Sequence, residues 1–181
     1  MLLGLTRDDG AIGSLETAIV QLPSFTTRSG LILGFTAGAA GGAVAIGMME
    51  LLAARTTFPL LFVPFATSIV LVMGSPEAEP AQPRALVGGH LLSTAVGLLV
   101  LHIIGAGPWA AAAAVGLSIV AMHLTRTFHP PAGIDPLVVV VNGMPWSFLV
   151  APVAIGVCLL VAFAFAWHNA VRRGSWPVRW W

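Results

Sequence analysis

The sequence predicts an all-α membrane protein with about six hydrophobic segments. Of its 181 residues, 57% are hydrophobic and only 8% are charged, whereas an average soluble domain carries about 25% charged residues. Such a chain cannot cover a water-facing surface, so we expect it to lie in the lipid bilayer. Its net charge of +1 is too small for nucleic-acid binding. A single cysteine excludes a disulfide framework or a thiolate metal cluster.

Four segments are long enough and apolar enough to cross the bilayer, because a transmembrane helix needs about 20 mostly apolar residues. They cover residues 30–54, 85–105, 108–128 and 147–169. The first segment contains glycines at 38 and 42, a spacing that allows another helix to approach closely.

Two shorter hydrophobic segments are interrupted by proline. Residues 57–74 contain Pro59 and Pro64, and residues 129–142 contain three prolines that exclude a regular helix over the first half of the segment. Either segment can cross the membrane as a short helix, or it can enter and leave on the same side.

The distribution of arginine separates these two arrangements, since cytoplasmic loops are enriched in Arg and Lys. Six crossings place both termini in the cytoplasm and leave Arg55 as the single arginine outside. Four spans with two re-entrant segments place Arg55, Arg84 and Arg126 outside. The charges therefore favour six crossings. The same arrangement places tryptophans at both membrane interfaces, with Trp109 and Trp146 outside and Trp167 and Trp176 inside.

The two proline-broken segments also resemble each other. Each begins shortly after an arginine, Arg55 or Arg126, follows a span rich in Gly or Ala, and precedes another long span. Three crossings in each half would make a 3+3 inverted repeat. In transporters built this way the binding site lies near the bilayer centre, where the interrupted helices meet. Chance similarity between two apolar stretches is the alternative.

The predicted domains are three. Residues 1–29 form an N-terminal arm, in which residues 12–22 have the apolar spacing of an amphipathic interfacial helix, or else pack on the protein itself. Residues 30–170 form the transmembrane domain, and residues 171–181 form a basic, tryptophan-containing cytoplasmic tail. We expect an integral protein of a bacterial inner membrane, whose partners are the lipid bilayer and a small inorganic ion. The sequence leaves a homo-oligomer open.

Three motifs carry a resemblance to a known family. MHLTRTFHPPAG at residues 122–133, together with PFATS at 64–68 and QPRALVGGHLLS at 82–93, resembles the HPP family of integral membrane proteins. The family takes its name from the tripeptide that begins at His129, and the resemblance covers about residues 24–170. The family is generally described as having four membrane spans, which differs from the six crossings predicted here.

The resemblance implies a function. Plastid and cyanobacterial relatives are associated with nitrite transport, so the resemblance implies a transporter or channel for a small inorganic anion, with nitrite as the candidate. This chain departs from those relatives just after the motif, because Asp135 stands in a stretch where they tend to carry small residues and Thr. A carboxylate at that position would repel an anion.

We expect the ion site at the two proline-broken segments. Pro130 and Pro131 hold the backbone extended, so a helix can begin only after them, and its first N–H groups would be unpaired and suited to an anion. The segment that begins at Pro64 should do the same from the opposite side, with two hydroxyls added. The predicted substrate-binding residues are Pro64, Thr67, Ser68, Arg126, His129, Pro130, Pro131, Ala132, Gly133 and Asp135.

Several of these residues have two interpretations. Asp135 either caps the helix that follows it or binds ions and titrates. Arg126 either faces a cavity or anchors its helix at the interface. His90 and His123 either share a vestibule with Arg126 and His129 or are buried histidines bonded to nearby carbonyls.

The sequence predicts neither a cofactor nor a metal, because it has no zinc-binding HExxH motif and its five histidines are scattered. We therefore do not expect an enzyme. Two alternatives to a transporter remain, a non-transporting assembly or regulatory subunit and a membrane-embedded enzyme that uses the histidines.

Overall fold

The computed structural model describes residues 28–55 and 63–180, and this part of the chain is all-α, as predicted. Its six α-helices are α1 (Arg28–Arg55), α2 (Val63–Gly74), α3 (Pro83–Ile104), α4 (Pro108–Leu124), α5 (Asp135–Asn142) and α6 (Ile155–Val171). Short 3-10 helices occur at Glu79–Ala81 and Pro130–Ile134, and a π-helical segment, Leu149–Ala154, leads into α6. The predicted interfacial helix at 12–22 and Pro59 lie outside the described residues.

The chain divides into two compact units, Met1–Gly34 and Phe35–Trp181. The described residues of the first unit, 28–34, are helical and begin α1. The second unit contains the remainder of α1 and all later elements.

Within the described residues, three helical stretches can cross a membrane on length and composition alone: Gly30–Arg55, Pro83–Ile104 and Leu149–Val171. At 1.5 Å per residue, the 12 residues of α2 and the 8 of α5 span only about 18 and 12 Å, against a hydrocarbon core of about 30 Å. The number of crossings and the inverted repeat stay predictions.

Two helices differ from the sequence-based boundaries. The helix predicted over 108–128 ends at Leu124, because the chain turns there towards the HPP motif. The helix predicted over 147–169 is interrupted at Ala151, whose φ of −130° and ψ of 117° are extended. Pro152 follows directly, and the residue before a proline is disfavoured in helical conformation.

The glycine pair of α1 makes the close helix approach that its spacing predicts. A Cβ atom on Gly38 would lie 2.5 Å from the carbonyl oxygen of Met73, and one on Gly42 would lie 3.9 Å from the Met73 Cβ. The end of α2 therefore packs directly on the backbone of α1, and this contact helps to fix α2 within the bundle.

Contacts between distant segments place three connections at the same end of the molecule. The Arg84 guanidinium donates to the carbonyl of Thr125 at 2.8 Å, and the side-chain oxygen of Gln82 accepts the Val178 N–H at 2.9 Å. The loop before α3, the turn after α4 and the C-terminal tail thus meet. Six crossings predict all three on one membrane face, whereas four spans with two re-entrant segments predict the tail on the opposite face from the other two.

The C-terminal tail is part of the packed bundle. Trp176, predicted at the membrane interface, is only 1% exposed, and its indole N–H donates to the carbonyl of Ala81 at 3.1 Å. The backbone carbonyl of Trp176 accepts from the Asn169 amide at 2.6 Å. A partner distant in sequence thus satisfies the one polar atom of this side chain within the core.

Candidate functional site

Four buried side chains form one hydrogen-bonded group, which we call the buried polar network: Ser68, His90, His129 and Asp135. The Ser68 Oγ lies 2.9 Å from His90 Nε2 and 2.8 Å from His129 Nε2. His90 Nδ1 lies 2.8 Å from an Asp135 carboxylate oxygen. None of the four is more than 3% exposed. The network therefore links three helices and the HPP turn, with both imidazoles at the Ser68 hydroxyl and Asp135 behind His90.

Helix α2 positions Ser68 and orients His90. Pro64 stands in the first turn of α2, where proline is favoured, and its carbonyl lies 2.7 Å from the Ser68 hydroxyl one turn later. The ring of Phe65 stacks on the imidazole of His90, with centroids 4.7 Å apart and planes 15° from parallel. This stacking fixes the plane in which His90 presents its two nitrogens.

Helix α3 carries polar residues along one face. His90, Ser93, Thr94 and Gly97 have the spacing of neighbours on a helix surface, and all four are buried. The Ser93 hydroxyl donates to the same Asp135 oxygen as His90 does, at 3.1 Å. Among the described residues, the buried Thr94 hydroxyl has no hydrogen-bond partner.

Two glycines of α3 allow the HPP turn and α5 to reach this face. A Cβ on Gly97 would lie 2.7 Å from Pro136 Cα, and one on Gly89 would lie 2.6 Å from the His129 Cβ. Only a residue without a side chain fits at either position. This close approach puts Asp135 and His129 within hydrogen-bonding distance of their partners.

The HPP motif places His129 at the bend before the second proline-broken segment. His129 is extended, with φ of −130° and ψ of 98°, as expected for a residue before proline. Its Nδ1 donates to the carbonyl of Pro80 at 2.7 Å. The motif thus ties the turn before α5 to the loop before α3.

The helix start after the HPP motif differs from the predicted one. The N–H of Ala132 donates to the His129 carbonyl at 3.0 Å, and the N–H of Asp135 donates to the carbonyl of Ala132. These groups, expected to be unpaired, are used by the 3-10 helix that precedes α5. Asp135 is not a cap either, because Ile134 is the N-cap and no side-chain capping bond forms. Its carboxylate turns to His90 and Ser93 instead.

The remaining predicted residues lie around the network or away from it. Ala132 is buried, and Gly133 and Pro131 are partly exposed, whereas Thr67, Arg126 and Pro130 are exposed. The four residues predicted to share a vestibule do not form one site. His90 and His129 belong to the buried polar network, whereas His123 and Arg126 do not. His123 is exposed, and its ring stacks on Phe128 with centroids 4.2 Å apart.

A second feature at the same end is a cavity of about 180 Å³, which we call the arginine cavity. Its lining consists of Glu79, Gln82, Arg84, Ala85, Arg126, Arg179 and Trp180. Three guanidinium groups face one carboxylate, so positive charge is in excess. Arg126 has φ of +57°, a left-handed conformation uncommon outside glycine.

One turn of backbone separates the arginine cavity from the buried polar network. Glu79 and Gln82 line the cavity, and between them lies Pro80, whose carbonyl accepts the His129 hydrogen bond. Two hydrogen bonds, from Pro80 to His129 and from His129 to Ser68, therefore connect this turn to the Ser68 hydroxyl. Residues 28–55 and 63–180 contain no group of three His, Cys, Asp or Glu arranged to hold a metal ion.

Sequence reasoning missed four of these residues. Ser93 and Thr94 carry a readable signal, because they share the helical face of His90. Arg84 and Arg179 carry no such signal, because the residues that line the cavity come from segments that are distant in sequence.

Comparisons with known proteins agree with this architecture. The model of the family described as "HPP, transmembrane region" matches residues 28–177. Two transmembrane proteins of Dictyostelium discoideum are similar over 125 residues, or 65% of this chain. One is 37% identical and has 40% of its length covered, and the other is 34% identical with 44% covered.

The chain thus spans less than half the length of these curated relatives. No solved structure matches it. The family match covers all the elements that build the network, from α2 to α5, and His129 of the HPP tripeptide is one of its four residues. The chain belongs to the HPP family of transmembrane proteins.

Proposed function

We propose that this protein is a transporter for a small inorganic anion, with nitrite as the first candidate. The arginine cavity receives the anion at the cytoplasmic end, and the buried polar network is the point that the anion passes inside the bundle. The observation that carries the proposal is that a single turn, at Pro80, separates the two.

The charge of the arginine cavity supports an anion over a cation. Arg84, Arg126 and Arg179 outnumber the single acidic residue, Glu79, and a cavity lined by one sign of charge concentrates ions of the other sign. Its volume of about 180 Å³ accommodates an ion of a few atoms together with part of its hydration shell. Selection at this point acts on charge rather than on shape.

The composition of the network supports passage of an anion as well. An ion that leaves water needs hydrogen-bond donors in its place, and the network offers hydroxyl and imidazole N–H groups. The Asp135 oxygen that accepts from both His90 and Ser93 has its negative charge offset by two donors. The Thr94 hydroxyl, without a partner among the described residues, is a further donor on the same helix face.

A hydrolase is the second candidate, because Ser68, His90 and Asp135 have the order and distances of a Ser-His-Asp triad. Two features argue against it. Ser68 lies in the interior of α2, where helical bonds occupy the backbone N–H groups that an oxyanion hole would need. The hydroxyl is also within hydrogen-bonding distance of His129 and Pro64. We therefore propose a non-enzymatic role, which covalent labelling of Ser68 by a fluorophosphonate would contradict.

Uptake into liposomes that contain the purified protein tests the proposal. Nitrite, nitrate, formate and chloride are compared with sodium and potassium, while an ionophore holds the membrane voltage constant. Saturable flux of at least one anion above protein-free liposomes is expected. Flux of cations alone would contradict the proposal, and folded protein without any ion flux would favour the non-transporting subunit.

A further inference from the structure

The hydrogens available around Ser68 are limited. Its oxygen lies 2.9 Å from His90 Nε2, 2.8 Å from His129 Nε2 and 2.7 Å from the carbonyl of Pro64. A serine hydroxyl has one hydrogen and two lone pairs, so it can donate to only one of these three atoms. The Pro64 carbonyl has two lone pairs, so it can accept from the Ser68 hydroxyl as well as from a helical N–H, and it competes with the imidazole nitrogens for the one hydroxyl hydrogen.

The state of His129 follows from its other nitrogen. A carbonyl oxygen can only accept, so the 2.7 Å contact with Pro80 requires a hydrogen on His129 Nδ1. In a neutral imidazole the second nitrogen is then an acceptor. Neutral His129 therefore presents a lone pair to Ser68 and is an alternative acceptor to Pro64 for the hydrogen of the Ser68 hydroxyl.

His90 then needs a hydrogen on the nitrogen that faces Ser68. If Asp135 were ionised and His90 neutral with its hydrogen on Nδ1, His90 Nε2 would face the serine oxygen with no hydrogen between them. The network would also hold an uncompensated negative charge in a buried site, which is costly. One additional proton removes both problems: His90 Nε2–H donates to Ser68, and the Ser68 hydroxyl can turn its own hydrogen from the Pro64 carbonyl to His129.

We propose that the buried polar network holds one exchangeable proton and passes it between His90 and His129 through the Ser68 hydroxyl. In the transfer, the N–H bond at His90 Nε2 breaks as a new O–H bond forms on Ser68. The original O–H bond breaks as an N–H bond forms at His129 Nε2. The total charge does not change, and no other reactant is needed.

Neighbouring charges decide at which end the proton resides. Asp135, on α5, lies against His90 and stabilises positive charge there. His129 bonds to the carbonyl of Pro80, which follows Glu79, and Glu79 lines the arginine cavity together with Arg84 and Arg126. An anion that moves inward from the cavity therefore stabilises the proton on His129.

The other elements packed around the network add no further titratable partner within the described residues. Helix α2 has no titratable side chain. The imidazole of His168, on α6, bonds to the Val72 carbonyl, and that of His123, on α4, stacks on Phe128. Movement of the proton with an anion rests on the proposed function, whereas the proton held by the network does not.

Nitrogen-15 NMR of the unmutated protein in lipid bilayers tests the proton held by the network. With histidine labelled, we expect His129 to carry hydrogen on Nδ1 alone, and His90 to carry hydrogen on Nε2 at neutral pH. A His90 spectrum with an unprotonated Nε2 would overturn the relay. This measurement needs no ion flux, so it stands even if the protein transports nothing.

Proton movement driven by an anion gradient tests the transfer. In liposomes loaded with a pH-sensitive dye, Ser68→Ala should reduce the protons moved per anion by about tenfold or more, because the bridging hydroxyl is lost. Ser118→Ala is the matched control, since the buried Ser118 hydroxyl bonds within its own helix to Val115. Unchanged proton movement in Ser68→Ala would refute the transfer. Absence of anion flux in the unmutated protein would refute the proposed function and leave the NMR result to decide the relay.

Discussion

The imidazole of His90 and the carboxylate of Asp135 lie 2.8 Å apart and join helix α3 to the first residue of α5. Both side chains are buried, with 0% and 4% of their surface exposed. Removal of one partner would leave a buried polar group without its hydrogen bond, which costs about 1–3 kcal/mol. The pair therefore both holds α5 in place and keeps a titratable group next to Ser68.

Asp135→Asn separates these two roles. Asn keeps the size of the side chain and an acceptor for Ser93, so we expect the free energy of unfolding to fall by only about 1–3 kcal/mol. Asn cannot stabilise a proton on His90 as the carboxylate does, so the rise of uptake with falling pH that we expect from the proton relay should be lost. Anion uptake at a series of external pH values measures this. An unchanged pH profile in Asp135→Asn would show that the carboxylate is structural only.

Gly89→Ala should disturb the site without removing any of its polar atoms. The added methyl would lie 2.6 Å from the His129 Cβ and 3.0 Å from the Thr127 carbonyl, which forces the HPP turn away from α3. We expect the free energy of unfolding to fall by about 1–3 kcal/mol and anion uptake to fall with it. Thermal unfolding in detergent measures the first effect.

Gly116→Ala is the control for that substitution. It is also a helical glycine, and a Cβ there would meet nothing within 4 Å. The helix should gain up to about 1 kcal/mol from the change. Equal effects of the two substitutions would mean that α3 and the HPP turn are not in close contact.

The sequence predicts the helices well and the site in part, for physical reasons. Apolar length is a local property and identifies α1 and α3, and the prolines correctly exclude a regular α-helix from the first half of residues 129–142, since α5 begins at Asp135. The partners of Asp135 are not local, since His90 is 45 residues away. Nothing in the sequence around Asp135 distinguishes a residue bonded across helices from a helix cap.

The C-terminal tail shows the same limit. Its arginines and tryptophans are typical of a cytoplasmic interface, and composition alone favours that interpretation. Gln82 accepts the N–H groups of both Val178 and Arg179, and a glutamine 96 residues earlier gives no sign of this role. The cavity that contains Arg179 was therefore beyond prediction from the sequence.

Arg126→Gln should weaken anion entry. Removal of one of three guanidiniums from the arginine cavity lowers the local concentration of anions, so we expect KM for the anion to rise several-fold while folding is retained. Arg126→Lys should recover only part, because lysine lacks the planar group of donors. Initial uptake rates at several anion concentrations and two ionic strengths measure this.

Arg173→Gln is the control for the cavity. Like Arg126→Gln, this substitution removes one positive charge, but Arg173 is exposed and does not line the cavity. Its KM should stay close to that of the unmutated protein. A rise in KM of equal size in both variants would assign the effect to general surface charge.

Trp176→Ala should destabilise the whole bundle. The side chain is 1% exposed and packs in the same core cluster as Phe65 and Ile69, so the loss should reach about 3–5 kcal/mol. Trp109→Ala, at a position that is 86% exposed, should have a far smaller effect in the same detergent. If thermal unfolding shows equal effects, the tail is not anchored in the core.

The membrane orientation is testable with single cysteines in a Cys158→Ala chain. Glu77 and Ala106 are exposed residues near opposite ends of α3, whose 22 residues span about 33 Å, enough to cross the hydrocarbon core. With six crossings, the end that holds the arginine cavity faces the cytoplasm. A membrane-impermeant thiol reagent added to whole cells should therefore label Ala106→Cys and should label Glu77→Cys only after permeabilisation. The opposite pattern would place the arginine cavity outside, and labelling of both would mean that α3 does not cross the membrane.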